Sequence, residues 1–226
     1  MIIGHQDLVR DFKQLVKGNR LAHGYIFFGE PEIGKFYFAK HLAHLLENGE
    51  FEIHGRPLHD ALILDDASGI DAMRELKNFL WQKPNVSSRR IAIINNAENL
   101  TPEAQNAILK IAEEPPENAM VILIVNQLDN ILPPLLSRLQ KVYFGRLSDS
   151  EMADATNEKG IIALSFGRPG RAARLVKSDE NTKTAERYAM QFLRAQEPER
   201  SKMIKELVDL NKEISPALIN GQPELL

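Results

Sequence analysis

The chain has 226 residues, 43% hydrophobic and 26% charged, which is the composition of an ordinary globular protein with room for about one and a half domains. Its 28 basic and 31 acidic residues give a net charge of −3, so overall charge directs it neither to nucleic acid nor to an anionic membrane. The absence of cysteine excludes disulfides, thiol nucleophiles and cysteine-ligated zinc sites.

The start of the chain shows no basic leader followed by a long apolar stretch. The longest apolar run, Ala119–Val125, is far shorter than the roughly 20 residues that span a bilayer. We therefore expect a cytoplasmic protein that does not enter a membrane.

Helical and strand patterns alternate from the start of the chain. After a helix predicted from apolar residues three and four apart, a nearly continuous apolar run predicts a strand at Tyr25–Phe28. A helical stretch from Phe36 to Leu46 comes next and is followed by a strand at Ala61–Leu64. A further helix is predicted to begin after Asp71, which we interpret as its N-cap.

The same alternation continues to about residue 144. A strand at Ile91–Ile94 precedes a helix that begins after Thr101, an N-cap with proline at the first helical position, and ends before Pro115. The last predicted strands are Met120–Val125 and, more weakly, Val142–Phe144. Runs this continuously apolar are typical of strands covered on both faces, so the sequence predicts an α/β fold with a mostly parallel sheet.

The pattern changes near Gly145. From Ser148 onward only helical patterns occur, including one over Arg171–Lys177. We therefore predict an α/β domain over residues 1–146, a small helical domain over 147–178 and a charged helical segment over 179–226.

The segment Gly29–Lys35 has the spacing of a phosphate-binding loop. Two glycines enclose four residues and are followed by a lysine, after a predicted strand and before a predicted helix. In such loops the glycines let backbone N–H groups face the phosphates, while the lysine and the helix N-terminus add positive potential. Gly29, Gly34 and Lys35 are therefore candidate nucleotide-binding residues.

Three positions depart from an active nucleotide site. Phe36 stands where a serine or threonine hydroxyl would ligate Mg²⁺, and Asn95 and Asn96 stand where active relatives of this architecture place an aspartate and a glutamate. Glu98 is the nearest carboxylate, and we expect it to point elsewhere. ATP hydrolysis is therefore not expected, whereas the surviving Lys35 and the backbone amides leave open whether ATP or ADP binds.

The segment Asn95–Glu117 resembles bacterial clamp-loader subunits of the AAA+ class, and the run Gln105–Pro116 within it is highly specific. Shorter matches lie at Ile3–His5, Ala22–His23 and Leu136–Arg138. The resemblance covers roughly residues 1–178 and is strongest to the delta-prime type of DNA polymerase III subunit, whose nucleotide site is degenerate.

The resemblance implies roles for single residues. The triplet Ser137-Arg138-Leu139 is similar to the family's S-R-C motif with its cysteine replaced, so Arg138 is implied to be an arginine finger that reaches a neighbouring subunit's ATP. Arg171 falls at the start of the lid helix that carries the second sensor, and Asn126 falls at the first sensor position. The alternatives are a solvated arginine at 138, local packing for Arg171 and strand termination for Asn126.

The resemblance also implies an architecture and partners. It makes residues 1–146 an AAA+ P-loop domain, residues 147–178 its helical lid and residues 179–226 a shortened collar. The implied partners are ATP-binding gamma/tau-type subunits, a delta subunit and the sliding clamp, with primer-template DNA contacted only inside the complex.

Two acidic residues and two histidines are left without an assigned role. Glu113 and Glu114 end a helix whose dipole opposes their charge, which indicates either a subunit contact or solvated charges. His54 and His59 lie where many family members carry a four-cysteine zinc module, and without thiols we interpret them as loop residues. No metal site is expected.

Three functions compete at this point. The leading one is a non-hydrolysing clamp-loader subunit of DNA polymerase III that supplies Arg138 in trans during DNA replication. The alternative is a divergent P-loop ATPase that acts on its own and uses Glu98 as its acidic residue. A nucleic-acid-binding module comes third, because Arg89, Arg90 and a few lid arginines are scattered and would give only weak, salt-dependent binding.

Overall fold

The computed structural model describes residues 2–53, 55–65, 69–177, 184, 187–188, 191–192 and 194–206. The chain divides into two compact units, Met1–Arg174 and Leu175–Leu226. The first unit contains the sheet, and in the second unit residues 199–206 are helical. Most of the predicted segment over residues 179–226 lies outside the described residues, and the boundaries placed at 146 and 178 stay predictions.

Five parallel strands form one sheet in the first unit. They are β1 (Gly24–Phe28), β2 (Ala61–Leu64), β3 (Arg90–Ile94), β4 (Ala119–Val125) and β5 (Gln140–Tyr143). The order across the sheet is β2-β3-β4-β1-β5, and every neighbouring pair is parallel. The predicted α/β fold with a parallel sheet is therefore confirmed.

β5 differs from its sequence prediction. The apolar run predicted a strand at Val142–Phe144, whereas the structure places it at Gln140–Tyr143. As an edge strand, β5 exposes the polar residues Gln140 and Lys141, so its apolar run marks only its end. Phe144 lies beyond the paired residues and is buried in the core.

Helices connect and cover the strands. The structure assigns α1 (Gln6–Lys17), α2 (Lys35–Asn48), α3 (Ile70–Leu80), α4 (Pro102–Glu113), α5 (Pro133–Arg138), α6 (Asp149–Met152), α7 (Lys159–Ser165) and α8 (Pro169–Lys177). None of the helices in the described ranges is long and apolar enough to cross a membrane.

The starts of α4 and α3 test the predicted caps. The Thr101 hydroxyl accepts a hydrogen bond from the Ala104 N–H at 3.2 Å, so the predicted cap of α4 is confirmed. The predicted cap of α3 is wrong, because Gly69 is the N-cap and Asp71 lies in the first turn. There its negative charge favours the helix dipole and pairs with Arg74 at 3.2 Å.

The core lies on both faces of the sheet. On one face α3, α4 and α5 bury Leu76, Ile108 and Leu135 in a cluster with the strand residues Ala92 and Leu123. On the other face α1 and α2 bury Phe12, Phe38 and Leu42 with the strand residues Phe27 and Ile122. Burial on both faces explains why the central strands are continuously apolar in sequence.

Asp60, just before β2, holds the loop between α3 and β3. Its carboxylate is buried and accepts hydrogen bonds from the backbone N–H groups of Asn85, Val86 and Ser87 at 2.7, 2.7 and 2.8 Å. Arg90 lies 3.8 Å from the same carboxylate. Burial alone would raise the pKa of Asp60, but the three N–H donors and Arg90 outweigh it and the pKa is lowered.

Candidate nucleotide site

The carboxyl ends of three neighbouring strands meet at one edge of the sheet. Because β4 lies between β3 and β1, the residues that follow these strands come together. They are Asn95 and Asn96 after β3, Asn126 after β4, and the loop Gly29–Gly34 after β1. The crevice outside such strand ends is where open α/β sheets bind ligands.

The loop after β1 runs directly from strand into helix, as its sequence pattern predicts. Gly29 and Gly34 have φ angles of +143° and +106°, which side chains rarely adopt, and α2 begins at Lys35. A Cβ atom at Gly29 would run into the carbonyl oxygen of Phe144. Glycine at position 29 is therefore required both by the backbone angle and by the space available.

Lys35 is buried, and the protein itself satisfies its ammonium group. Nζ donates hydrogen bonds to the carbonyl oxygens of Gly29 at 2.6 Å and Glu30 at 2.7 Å, and to Oδ1 of Asn126 at 3.1 Å. An ammonium group has three N–H donors, so these acceptors use all of them. Burial lowers the pKa of Lys35 from 10.5 to about 8, and the Glu98 and Glu30 carboxylates offset part of that effect.

Asn126 connects Lys35 to a carboxylate. Its Nδ2 and its backbone N–H donate to Oε1 of Glu98, at 2.5 and 3.2 Å. The expectation that Glu98 points elsewhere is therefore wrong. Asn96 adopts a left-handed conformation, with φ of 49°, and starts the 3₁₀ turn Ala97–Asn99, which carries Glu98 back to the strand ends. Asn126 thus does more than terminate β4.

A cavity of about 460 Å³ opens at these strand ends. The predicted residues that line it are Gly34, Lys35, Phe36, Asn95, Asn96 and Asn126. Its other walls include Ile2, Ile3, Tyr37, His41 and Ala173, which the sequence patterns did not assign to this site, and Glu98, which only the alternative of an independent ATPase placed there. Gly29 and Arg171 are not among the lining residues. A largely apolar cavity with a few convergent polar groups is the usual form of a small-molecule site.

The positions that should ligate a metal ion carry other groups. The Phe36 ring lines the cavity, and the Lys40 ammonium lies over that ring, 5.4 Å from its centre. Asn95 donates from Nδ2 to the Asp65 carboxylate at 3.0 Å, so its amide is already engaged by the protein. The carboxylates among the lining residues are those of Glu32 and Glu98.

Arg171, the predicted second-sensor residue, packs locally. Its guanidinium lies 5.4 Å from the centre of the Phe166 ring. The neighbouring residues of α8 that line the cavity are Pro169, Gly170 and Ala173. The structure therefore brings the start of α8 to the cavity but places Arg171 to one side of it.

Arg138, the predicted finger, lies apart from the cavity at the end of α5. One guanidinium nitrogen donates to the Pro134 carbonyl oxygen at 3.2 Å, and the other lies 2.9 Å from Oε1 of Glu113. The Arg138 side chain is still 39% exposed. The pairing gives Glu113 a partner that its position at the end of α4 had not indicated.

The loop histidines show no metal-binding arrangement. His54 lies outside the described residues, and the backbone N–H of His59 donates to the Glu47 carboxylate at 2.8 and 3.0 Å. No group of three or more histidine, aspartate or glutamate side chains could hold a metal ion in the described part of the chain. The expectation that the protein needs no metal stays a prediction.

The sheet order and the phosphate loop define a protein of the P-loop ATPase class. The family model described as "DNA polymerase III, delta subunit" matches residues 4–148, more than half of the chain. The chain therefore belongs to this clamp-loader family of AAA+ proteins.

Curated relatives agree with this family. The chain is 29% identical to DNA polymerase III subunit gamma/tau of Mycoplasma pneumoniae over 161 residues, which cover 65% of this chain and 24% of that protein. It is 30% identical to the replication factor C small subunit of Haloarcula marismortui over 154 residues, which cover 68% of this chain and 46% of that protein. The chain thus spans less than half the length of either relative.

Solved structures support the fold alone. A DNA polymerase III gamma subunit-related protein from Thermotoga maritima matches 88% of this chain and 76% of its own, with a TM-score of 0.55 and 20% identity. The RuvB Holliday junction branch migration motor of Thermotoga maritima matches 92% of this chain and 70% of its own, with a TM-score of 0.58 and 15% identity.

Proposed function

We propose that this protein is a clamp-loader subunit of the DNA polymerase III complex, of the delta-prime type, whose own nucleotide site does not hydrolyse ATP. The observation that carries the proposal is the state of Lys35, whose three N–H donors are all taken by Gly29, Glu30 and Asn126. A lysine engaged in this way contributes little to a developing charge on a terminal phosphate.

The chemistry around Lys35 supports the same conclusion. Phe36, Asn95 and Asn96 offer neither the hydroxyl nor the carboxylates that hold Mg²⁺ and orient water in active sites of this class. The cavity has room for a nucleotide, and we propose that any ATP or ADP it holds is not hydrolysed.

We further propose that Arg138 acts in trans on a neighbouring ATPase subunit. It is partly exposed, lies at the end of α5 and is not among the residues that line its own cavity. A planar guanidinium binds two oxygens of a phosphate and stabilises the charge that develops during phosphoryl transfer. Its partners would be ATP-binding gamma/tau-type subunits and a delta subunit, with the sliding clamp and primer-template DNA joining in the assembled cytoplasmic complex.

The test is to mix the full chain with the ATP-binding clamp-loader subunit of the same genome and measure ATP turnover. Arg138→Ala is expected to lower the stimulated turnover by about 10³-fold or more if the arginine acts as a finger. Arg10→Ala removes an exposed arginine of α1 and serves as the matched control. Equal turnover with wild type and Arg138→Ala, in a complex that still co-purifies, would contradict the finger role.

A second function, a P-loop ATPase that acts on its own, is favoured by one observation. Glu98 lies at the cavity and is held by Asn126, where a carboxylate could polarise water. If this function is correct, the isolated chain hydrolyses Mg-ATP, and both Glu98→Gln and Lys35→Ala abolish that turnover. Under the leading proposal the isolated chain shows no turnover for either change to remove.

A further inference from the structure

The predicted phosphate loop carries two carboxylates of its own. Glu30 and Glu32 both lie between Gly29 and Gly34, where an anionic ligand would be expected to meet only backbone N–H groups and cations. Each carboxylate pairs with an arginine from elsewhere in the chain. Oε1 of Glu30 lies 2.8 Å from Nε of Arg146, and Oε1 of Glu32 lies 3.0 Å from Nε of Arg174.

Glu32 is also joined to the start of α8 through its backbone. Its carbonyl oxygen accepts a hydrogen bond from the Gly170 N–H at 2.9 Å. A Cβ atom built on Gly170 would lie 2.9 Å from that oxygen, so the two backbones approach too closely for a side chain. Glu32 itself has a φ of 62°, a conformation uncommon for residues other than glycine, and such outliers concentrate at functional positions.

These contacts engage two of the positive charges that lie near the loop and the start of α8. Lys35 is satisfied by the carbonyl oxygens of Gly29 and Glu30 and by Asn126, and Arg174 is paired with Glu32. In a nucleotide site, phosphate oxygens are the acceptors that gather lysine and arginine side chains. Here oxygens of the protein already occupy both cations.

We propose that Glu32 is an internal substitute for a nucleotide phosphate. It holds residues 169–174 of α8 against the loop when no nucleotide is present, and its carboxylate, which lines the cavity, opposes the entry of a polyphosphate. The inference rests on the proposed function, because it explains how a site that does not hydrolyse ATP keeps residues 169–174 of α8 in place.

The size of the effect is modest because the ion pair is partly exposed. The side chains of Glu32 and Arg174 are 33% and 54% exposed. Pairs of this kind contribute little and weaken with salt, so removing the Glu32 charge is expected to tighten ADP binding by about fivefold at low ionic strength.

The experiment uses the full chain alone, with fluorescently labelled ADP and no Mg²⁺ at low ionic strength, and measures both ADP affinity and amide hydrogen exchange over residues 169–174. Glu32→Gln keeps the size and the backbone carbonyl but removes the charge. We expect it to bind ADP about fivefold more tightly and to exchange faster without ADP. Adding ADP is expected to slow that exchange again, because the phosphate takes over the role of the carboxylate.

Two further variants separate the two effects. Arg174→Gln is expected to speed exchange over residues 169–174 as Glu32→Gln does, but without tighter ADP binding, because the Glu32 carboxylate remains. The double variant Glu32→Arg with Arg174→Glu, which swaps the two charges, is expected to restore slow amide hydrogen exchange over residues 169–174. Glu75→Gln, which removes one exposed carboxylate from α3, is the control for net charge and should match wild type in both measurements.

The proposal would be overturned if Glu32→Gln left either the ADP affinity or the amide hydrogen exchange over residues 169–174 unchanged. Fast amide exchange in the double variant Glu32→Arg with Arg174→Glu would overturn it as well. Circular dichroism establishes that each variant is folded before it is compared. ATP turnover measured in the same samples tests the proposed function separately, because neither ADP affinity nor amide exchange in the isolated chain depends on Arg138 or on a neighbouring subunit.

Discussion

Arg138 forms an ion pair with Glu113, at 2.9 Å, that joins the last residue of α5 to the last residue of α4. The two residues are 25 positions apart in the sequence and meet because α4 and α5 pack on the same face of the sheet. In the isolated chain the proposed finger is therefore already paired. In the proposed role, Arg138 would exchange Glu113 for phosphate oxygens of a neighbouring subunit's ATP.

The Arg138–Glu113 pair predicts the effect of Glu113→Gln on a neighbouring subunit. Removing the carboxylate frees the guanidinium, so stimulation of the neighbour's ATP turnover at subsaturating concentration is expected to rise by up to about fivefold, with a difference that shrinks in high salt. The measurement is steady-state ATPase activity of the mixed subunits. Glu114→Gln, the exposed carboxylate next along the chain, is the control, and a fall in stimulation with Glu113→Gln would show that the pair orients Arg138 instead.

Lys35 predicts a rise in stability at alkaline pH. Its pKa is about 8 in the folded protein and 10.5 when unfolded, so between these values the unfolded chain binds more protons and stability increases with pH. The measurement compares the free energies of unfolding of wild type and Lys35→Met in denaturant. We expect the value of wild type minus that of the variant to be constant between pH 6 and 7 and to increase above pH 8. A difference that stays flat to pH 10 would contradict the depressed pKa.

The buried hydrogen bonds of Asp60 predict that removing its side chain greatly lowers the stability of the protein. Asp60→Ala leaves three backbone N–H groups and Arg90 without their buried acceptor, and we expect the free energy of unfolding to fall by about 3–5 kcal/mol. Asp129→Ala, at an exposed turn, should change it by less than about 0.5 kcal/mol. Denaturant unfolding measures both variants.

The same residue predicts how that loss varies with pH. Because the folded pKa of Asp60 is lowered, its contribution is complete above the usual value of 3.8 and is lost as the pH falls through the folded value. The difference in unfolding free energy between wild type and Asp60→Ala should therefore shrink in acid. A difference that stays constant down to acid unfolding would mean that hydrogen bonding to the charged form is not what holds the loop.

Gly29 predicts that the loop tolerates no side chain at its first position. Gly29→Ala would force a Cβ atom onto the Phe144 carbonyl oxygen at a φ of +143°, so the free energy of unfolding is expected to fall by more than about 2 kcal/mol. Gly160→Ala lies within α7 with nothing near its Cβ position, and should leave stability unchanged or raise it by up to about 1 kcal/mol. Thermal and denaturant unfolding compare the two, and equal stability would contradict the clash.

The sequence predicted the central strands well because their burial on both faces leaves an unbroken apolar run. β3 and β4 lie inside the sheet and were found within one residue at each end. The edge strand β5 was predicted too far along the chain, because only its end is apolar. Asp71 has the side chain that sequence preference favours for an N-cap, but it lies two residues after the actual N-cap, Gly69.

The sequence predicted the candidate site where its residues follow a strand directly or belong to the phosphate-loop motif. Asn95, Asn96 and Asn126 meet at the cavity for the first reason, and Lys35 for the second. The leading interpretation placed Glu98 away from the site because its direction depends on the left-handed turn at Asn96, and only the alternative of an independent ATPase used it.

The position of β1 in the sheet has a consequence for how the protein is made. Gly24 of β1 pairs with Val121 of β4, and Tyr25 pairs with Gln140 of β5, so during synthesis neither neighbour exists until about a hundred more residues have left the ribosome. β2 and β3 pair over a much shorter separation, from Ala61 to Ile91, and can meet earlier. Until β4 emerges, an apolar strand keeps both edges open, which is the condition under which nascent chains associate wrongly or bind chaperones. The first of the five strands in chain order is thus among the last to gain its neighbours.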